Sequence, residues 1–131
     1  MSGFYIEGPG CLPVIIHNMF MMCRCVGITL STQVEGFVAL NECQITTRGV
    51  DILNNKSVLF ANRIQKSHDD GISVVCNSEN DIAAPTIQRN FIESCTHNGI
   101  VCEGFSCFPL IKANHIELNR KSGVKLANSA R

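Results

Sequence analysis

The sequence has no tryptophan, a single tyrosine and few charges, with charged residues at 17% of its 131 positions. Low charge beside 45% hydrophobic residues excludes a disordered chain, which needs the opposite balance. Eleven basic residues offset eleven acidic ones, so the chain lacks the broad positive field that nucleic acid or an anionic membrane surface selects. Neither nucleic acid nor membrane is therefore expected as a partner. No apolar run approaches the roughly 18 residues of a membrane span. The opening residues, Met1 to Gly8, have neither a charged n-region nor an apolar h-region. An intracellular, cytoplasmic location is expected on that ground. The lack of tryptophan, with Tyr5 the one tyrosine, also weighs against aromatic platforms for sugars.

Eight cysteines are present, but their spacings fit neither a disulfide framework nor paired zinc knuckles. The nearest approach, Cys23 and Cys25, has the wrong spacing and no second pair. Reduced, mostly buried thiols acting as small hydrophobes are the plainer expectation.

Two interleaved motifs organise the chain. Gly-aliphatic-x-apolar begins at Gly3, Gly27, Gly49, Gly71, Gly99 and Gly123, at intervals of 24, 22, 22, 28 and 24 residues. Apolar-x-x-Asn-x-apolar is centred on Asn18, Asn41, Asn62, Asn90 and Asn114, each 8 or 9 residues before the next glycine. Both motifs alternate with period two, the mark of a strand with one buried face. Two short strands per 22–24 residues, without helical periodicity, predict an all-β, right-handed parallel β-helix of five to six rungs. The chain is expected to form one such domain, or a piece of a longer solenoid. Leucine-rich repeats and propeller blades do not fit the residues or the period.

Rung-on-rung stacking then predicts inward columns. One is Ile15, Val38, Leu59, Ile87 and Ile111; another places Cys43 among aliphatics, and a third does so for Cys102. The asparagine column suits stacked corners that share amide hydrogen bonds, and the glycine column suits corners with positive φ. The Gly-to-Asn half of each rung absorbs the length changes, the longest being the loop from Asn77 to Pro85.

The phrases Pro13-Val-Ile-Ile-His-Asn18, Pro85-Thr-Ile-Gln-Arg-Asn90-Phe-Ile92 and Pro109-Leu-Ile-Lys-Ala-Asn114-His-Ile116 resemble rungs of the β-helix repeats of F-box only protein 11 and its relatives, including the SHC-binding spindle proteins. Gly36-Phe-Val-Ala-Leu-Asn41-Glu resembles the Gly-led rungs between them. The resemblance implies a non-enzymatic interaction scaffold or substrate-recognition module. No F-box helix pair and no Cys/His finger accompany it. Similar repeats also occur in polysaccharide lyases and hydrolases, so a carbohydrate-binding or carbohydrate-cleaving role is the alternative.

For that alternative the one candidate is His68-Asp69-Asp70-Gly71-Ile72, which resembles the paired-aspartate strand of polygalacturonases, with Asp51 one rung earlier. Glycoside cleavage needs two carboxylates flanking the bond. The partner motifs are missing: Thr46-Thr-Arg-Gly-Val-Asp51 and His97-Asn-Gly99 stand in their places. Asp69 and Asp70 are therefore expected to be solvated turn residues, not catalytic ones. Histidines 17, 68, 97 and 115 occupy different repeat positions, so no metal is expected, nor any cofactor.

For the scaffold, alternation turns outward the residue two before each asparagine: Ile16, Ala39, Phe60, Gln88 and Lys112. The first three are expected to form an exposed apolar stripe, extended by Met19 and Met21, as a protein-contact face. Both solenoid ends would expose strand edges, which predicts a partner or self-association there.

Overall fold

A computed structural model describes residues 2–128. Each rung contributes three strands, not two, because the Asn motif is split by its own corner. The first rung holds β1 (Ser2–Ile6), β2 (Val14–Ile16) and β3 (Met19–Met21). The second holds β4 (Val26–Leu30), β5 (Phe37–Ala39) and β6 (Glu42–Gln44), and the third β7 (Val50–Leu53), β8 (Val58–Phe60) and β9 (Arg63–Gln65). The fourth holds β10 (Ile72–Val75), β11 (Thr86–Gln88) and β12 (Phe91–Glu93). The fifth holds β13 (Ile100–Glu103), β14 (Leu110–Lys112) and β15 (His115–Glu117), and β16 (Val124–Ala127) opens a sixth. They stack into three parallel sheets: sheet A (β1-β4-β7-β10-β13-β16), sheet B (β2-β5-β8-β11-β14) and sheet C (β3-β6-β9-β12-β15). The chain is an all-β, right-handed parallel β-helix of about five turns. No helix among the described residues is long and apolar enough to cross a membrane.

The register places Ile15, Val38, Leu59, Ile87 and Ile111 side by side, as the repeat predicts. Val38, Leu59 and Ile87 are fully buried. All eight cysteines are free thiols, five of them buried, and Cys43 and Cys102 sit among aliphatics. Burial, helped by Cys23 and Glu42, pushes the Cys43 thiol up to about 12, which leaves it unreactive near neutral pH.

Asparagine and glycine each do something more specific than expected. In the Asn ladder, Asn41 Nδ2 donates to Asn62 Oδ1 at 3.1 Å, and Asn62 Nδ2 donates to Asn90 Oδ1 at 3.0 Å. Each Oδ1 also accepts the backbone N–H of the preceding rung's asparagine. The left-handed residue is not the asparagine but the one before it: His17, Leu40, Ala61, Arg89 and Ala113 have φ of 52–57°. A second left-handed column closes sheet C at Met22, Ile45, Lys66, Ser94 and Leu118.

The repeat glycines, in contrast, do not have positive φ. They are required for close approach. A Cβ on Gly49 would lie 2.7 Å from Gly71 O and 2.6 Å from Ile64 Cγ2, and Gly71 meets Gly99 O and Ile92 in the same way. Backbone passes over backbone at this corner, and no side chain fits between.

Candidate functional site

Sheet B is built of three-residue strands that end at the left-handed corners. Its outward positions form two columns. One is Ile16, Ala39, Phe60, Gln88 and Lys112, as alternation predicts. The other is Val14, Phe37, Val58, Thr86 and Leu110. The same alternation, carried to the residue four before each asparagine, finds this second column. On the first three rungs all six outward residues are apolar. Of the ten outward positions on sheet B, only Lys112 is charged.

Exposure is greatest on the first rung and falls over the next two. Val14 is 68% exposed, Ile16 and Phe37 each 39%, and Phe60 is half-buried. Ala39 is only 2% exposed, which corrects the expected exposed stripe: its methyl lies below the larger side chains of Ile16 and Phe60 on either side. The apolar surface therefore runs through Val14, Ile16, Phe37 and Phe60, with Ala39 as its floor. The Arg89 guanidinium lies over the Phe60 ring at 5.9 Å and puts a positive charge on the margin. Met19 and Met21 are exposed, but on sheet C, around the Asn18 corner from Ile16. Leu40, exposed on the next rung's corner, continues the apolar surface toward them.

Sheet C reads differently. Of its ten outward positions, Glu42, Arg63, Glu93 and Glu117 are charged, and His115 lies 3.2 Å from Glu117. Phe91 stacks on His115 at 4.9 Å with Arg63 over its other side. These are neighbours along one ladder and satisfy one another.

The second candidate lies where sheet A begins. Its members come from the second to fourth rungs, and the stacking brings them together. Arg48 Nε donates to Asp69 Oδ2 at 2.8 Å, and Arg48 Nη1 reaches Asp51 Oδ2 at 3.2 Å. His97 Nδ1 lies 2.5 Å from Asp69 Oδ1. Asp70 Oδ1 accepts the backbone N–H and the Nδ2 of Asn98, both at 2.8 Å, so it serves as a corner acceptor. Burial raises the Asp51 pKa despite the adjacent Arg48. Burial also acts to raise Asp69, but the bonds from Arg48 and His97 override it and hold Asp69 below the usual carboxylate range. Arg48 rises in turn, its partial burial outweighed by the two carboxylates. Asp69 and Asp70 are thus ion-paired and hydrogen-bonded, not freely solvated turn residues. Asp69, Asp70 and His97 place one ligand atom each within 4.8 Å, a spacing compatible with a cation, though internal bonds already occupy all three.

The long loop from Asn77 to Pro85 is anchored at several points. Cys76 Sγ donates to Asp81 O at 3.2 Å, and Ala84 N–H donates to Asn55 O at 3.1 Å. Between this loop and the preceding two rungs lies a cleft of about 270 Å³, walled by Gln33, Glu35, Asn55, Lys56 and Asp81. A wider trough of about 630 Å³ runs between Ser78, Glu79, Glu103 and Phe105.

These features define a parallel β-solenoid carrying one sheet face with a single charge and one ion-paired cluster. Residues 48–131, more than half of the chain, match the family described as "Right handed beta helix region", and the chain belongs to that family. Comparison with curated proteins and with solved structures gives no match.

Proposed function

We propose that the protein is a non-enzymatic interaction scaffold, or the substrate-recognition part of a larger assembly, that captures a protein partner on the outer face of sheet B. One observation carries this reading: a sheet face with one charge in ten outward positions and six apolar residues on three successive rungs. A contiguous apolar face of this kind marks an interaction site more often than a bare surface. Its aromatic members, Phe37 and Phe60, are the residue type that anchors interfaces. The rung phrases that resemble F-box only protein 11 support substrate recognition as the finer role. Eight free thiols suit a reducing, intracellular setting such as the cytoplasm.

The test is capture of the physiological partner by wild type and by Phe37→Asp and Phe60→Asp. Each variant should weaken capture by about 2 kcal/mol or more, roughly thirtyfold, with an unchanged circular dichroism spectrum. Unchanged capture by both folded variants overturns the proposal.

A carbohydrate-directed role is the second reading, favoured by the cluster on sheet A. Asp51 and Asp69 are two carboxylates whose surroundings push their pKa values apart, the arrangement that separates acid from base. Binding on a glycan array, or release of reducing ends from an acidic polysaccharide that Asp51→Asn abolishes, would establish it.

A further inference from the structure

Two thiols meet inside the fifth rung. Cys102 lies on β13, in register with Val74 of β10, and is fully buried. After it the chain turns at Gly104, which has φ of 118°, and re-enters the core at Cys107. A Cβ on Gly104 would lie 1.9 Å from Cys76 O, so both the turn and its close approach require glycine. Cys107 forms a parallel bridge with Ala83 one rung earlier, and Phe108 N–H donates to Ala83 O at 2.7 Å. The two positions that hold Val74 and Ala83 on the fourth rung therefore hold sulfur on the fifth. Cys107 is fully buried like Cys102, and the two thiols are hydrogen-bonded, Cys102 donating to Cys107.

That pairing makes the two sulfurs unequal. The bond from Cys102, with a backbone hydrogen bond from Glu103, outweighs burial and holds the Cys107 thiol below its ordinary value. The same bond, with burial, pushes Cys102 up. Burial pushes Cys43 and Cys95 up as well. Cys107 is thus the sulfur poised to become a thiolate, the form that attacks an oxidant. Cys76, also buried, is engaged elsewhere: it donates to Asp81 O at 3.2 Å and Ser78 O at 3.7 Å. The turn between the pair is its outer cover. Phe105, 75% exposed, stands on that turn and in the wall of the wider trough, together with Glu103 and Gly104.

We infer that Cys102 and Cys107 form a redox modification site, oxidised by hydrogen peroxide to an intramolecular disulfide, with Cys107 as the attacking sulfur and Cys102 as the resolving one. Peroxide is small enough to enter when the covering turn lifts. The Cys107 thiolate attacks one peroxide oxygen, the O–O bond breaks, and the departing hydroxide takes up a proton to become water. Cys107 is left as a sulfenic acid. The Cys102 sulfur then displaces the hydroxyl from Cys107, and the Cys102 proton leaves with it as a second water. The S–S bond forms as the two thiols give up two electrons and two protons to the peroxide. A thiol reductant reverses the oxidation, in keeping with the transient disulfides of reducing compartments. The disulfide closes the turn into a ring and fixes one wall of the trough. The site is separate from the outer face of sheet B and does not depend on the proposed function.

The test is treatment of the native chain with hydrogen peroxide at neutral pH, at a dose that fully oxidises free cysteine. Denaturation, alkylation with iodoacetamide and trypsin digestion follow. Residues 90–112 form one tryptic peptide, which holds Cys95, Cys102 and Cys107. Untreated protein should carry an adduct on all three. Treated protein should carry one on Cys95 alone, and dithiothreitol should restore the other two. Cys102→Ser should stop the reaction at a sulfenic acid on Cys107, trapped by dimedone. Cys107→Ser should leave Cys102 fully alkylated. Circular dichroism checks that both variants fold, and the wild-type peptide decides alone if either does not. Adducts on all three cysteines after treatment overturn the inference. So does a disulfide that includes Cys95, one that forms only in the denatured chain, or a sulfenic acid on Cys102 in folded Cys107→Ser.

Discussion

The asparagine ladder has a polarity, and alanine substitutions should reveal it. Asn18 and Asn114 occupy the outermost corners of the ladder and are both half-buried. Burial alone would give them equal worth. Their bonds differ. Asn114 Oδ1 accepts the Asn90 N–H at 2.9 Å and Asn90 Nδ2 at 3.1 Å, while Asn114 Nδ2 donates to Ile87 O at 2.8 Å. Alanine there removes the acceptor of a largely buried backbone N–H. A stranded donor costs about 1–3 kcal/mol. Asn18 only donates, from Nδ2 to Ile16 O and Asn41 Oδ1, and its own N–H keeps Asn41 Oδ1 at 2.9 Å after truncation. Removing its side chain strands no buried N–H, so the loss should be about 0.5 kcal/mol. Asn62 lies mid-ladder. Alanine there strands the Asn41 N–H and deprives Val38 O of its Nδ2 donor, for about 3 kcal/mol in all. At about 4 °C per kcal/mol for a chain of this size, thermal melts should fall by about 2, 8 and 12 °C for Asn18→Ala, Asn114→Ala and Asn62→Ala. Equal losses for Asn18→Ala and Asn114→Ala at matched pH and concentration would refute the polarity argument.

Three other substitutions probe the backbone and the ion-paired cluster. Gly71→Ala should cost about 3 kcal/mol or more in a denaturant titration, since its Cβ would lie 2.6 Å from both Gly99 O and Ile92 Cγ2. Leu40→Gly should be neutral or stabilising by up to about 1 kcal/mol, because exposed Leu40 is held at φ 56°; a clear loss would mean that its side chain does more than turn the corner. Arg48→Met should destabilise at neutral pH by about 2 kcal/mol, because it leaves the buried Asp51 carboxylate unpaired. The sign with pH follows from the directions of the shifts. Asp69, depressed when folded, contributes stability above its unfolded pKa that is lost as pH falls through its folded pKa. The gap between wild type and Arg48→Met should therefore narrow in acid, where Asp51 and Asp69 take up protons; a gap that widens there contradicts the assignment.

Most of the architecture is legible in the sequence because a solenoid converts spacing directly into position. The columns through Ile15 and Cys43 and the Asn ladder follow from period two and the rung length alone. Corner conformations are less legible. Glycine suggests positive φ, yet Gly49 and Gly71 are needed for space, while Leu40 and Ile45 take the left-handed corners without any residue-type signal. The following Asn supplies the bonds that hold Leu40 there. Ala39 shows a different limit: alternation gives direction, but exposure depends on the size of the flanking Ile16 and Phe60. The Arg48–Asp51–Asp69–His97 cluster is hardest to read, since its members come from successive turns and become neighbours only once register is known.

The central claim is that sheet B's outer face captures the partner. Site-specific photo-cross-linking tests it most directly, with the probe placed in turn at Phe37 on sheet B, Gln44 on sheet C and Tyr5 on sheet A. The account predicts that the partner is trapped from position 37 and not from 44 or 5, and that Phe60→Asp abolishes the product. Trapping from position 44 or 5 with none from 37 would contradict it.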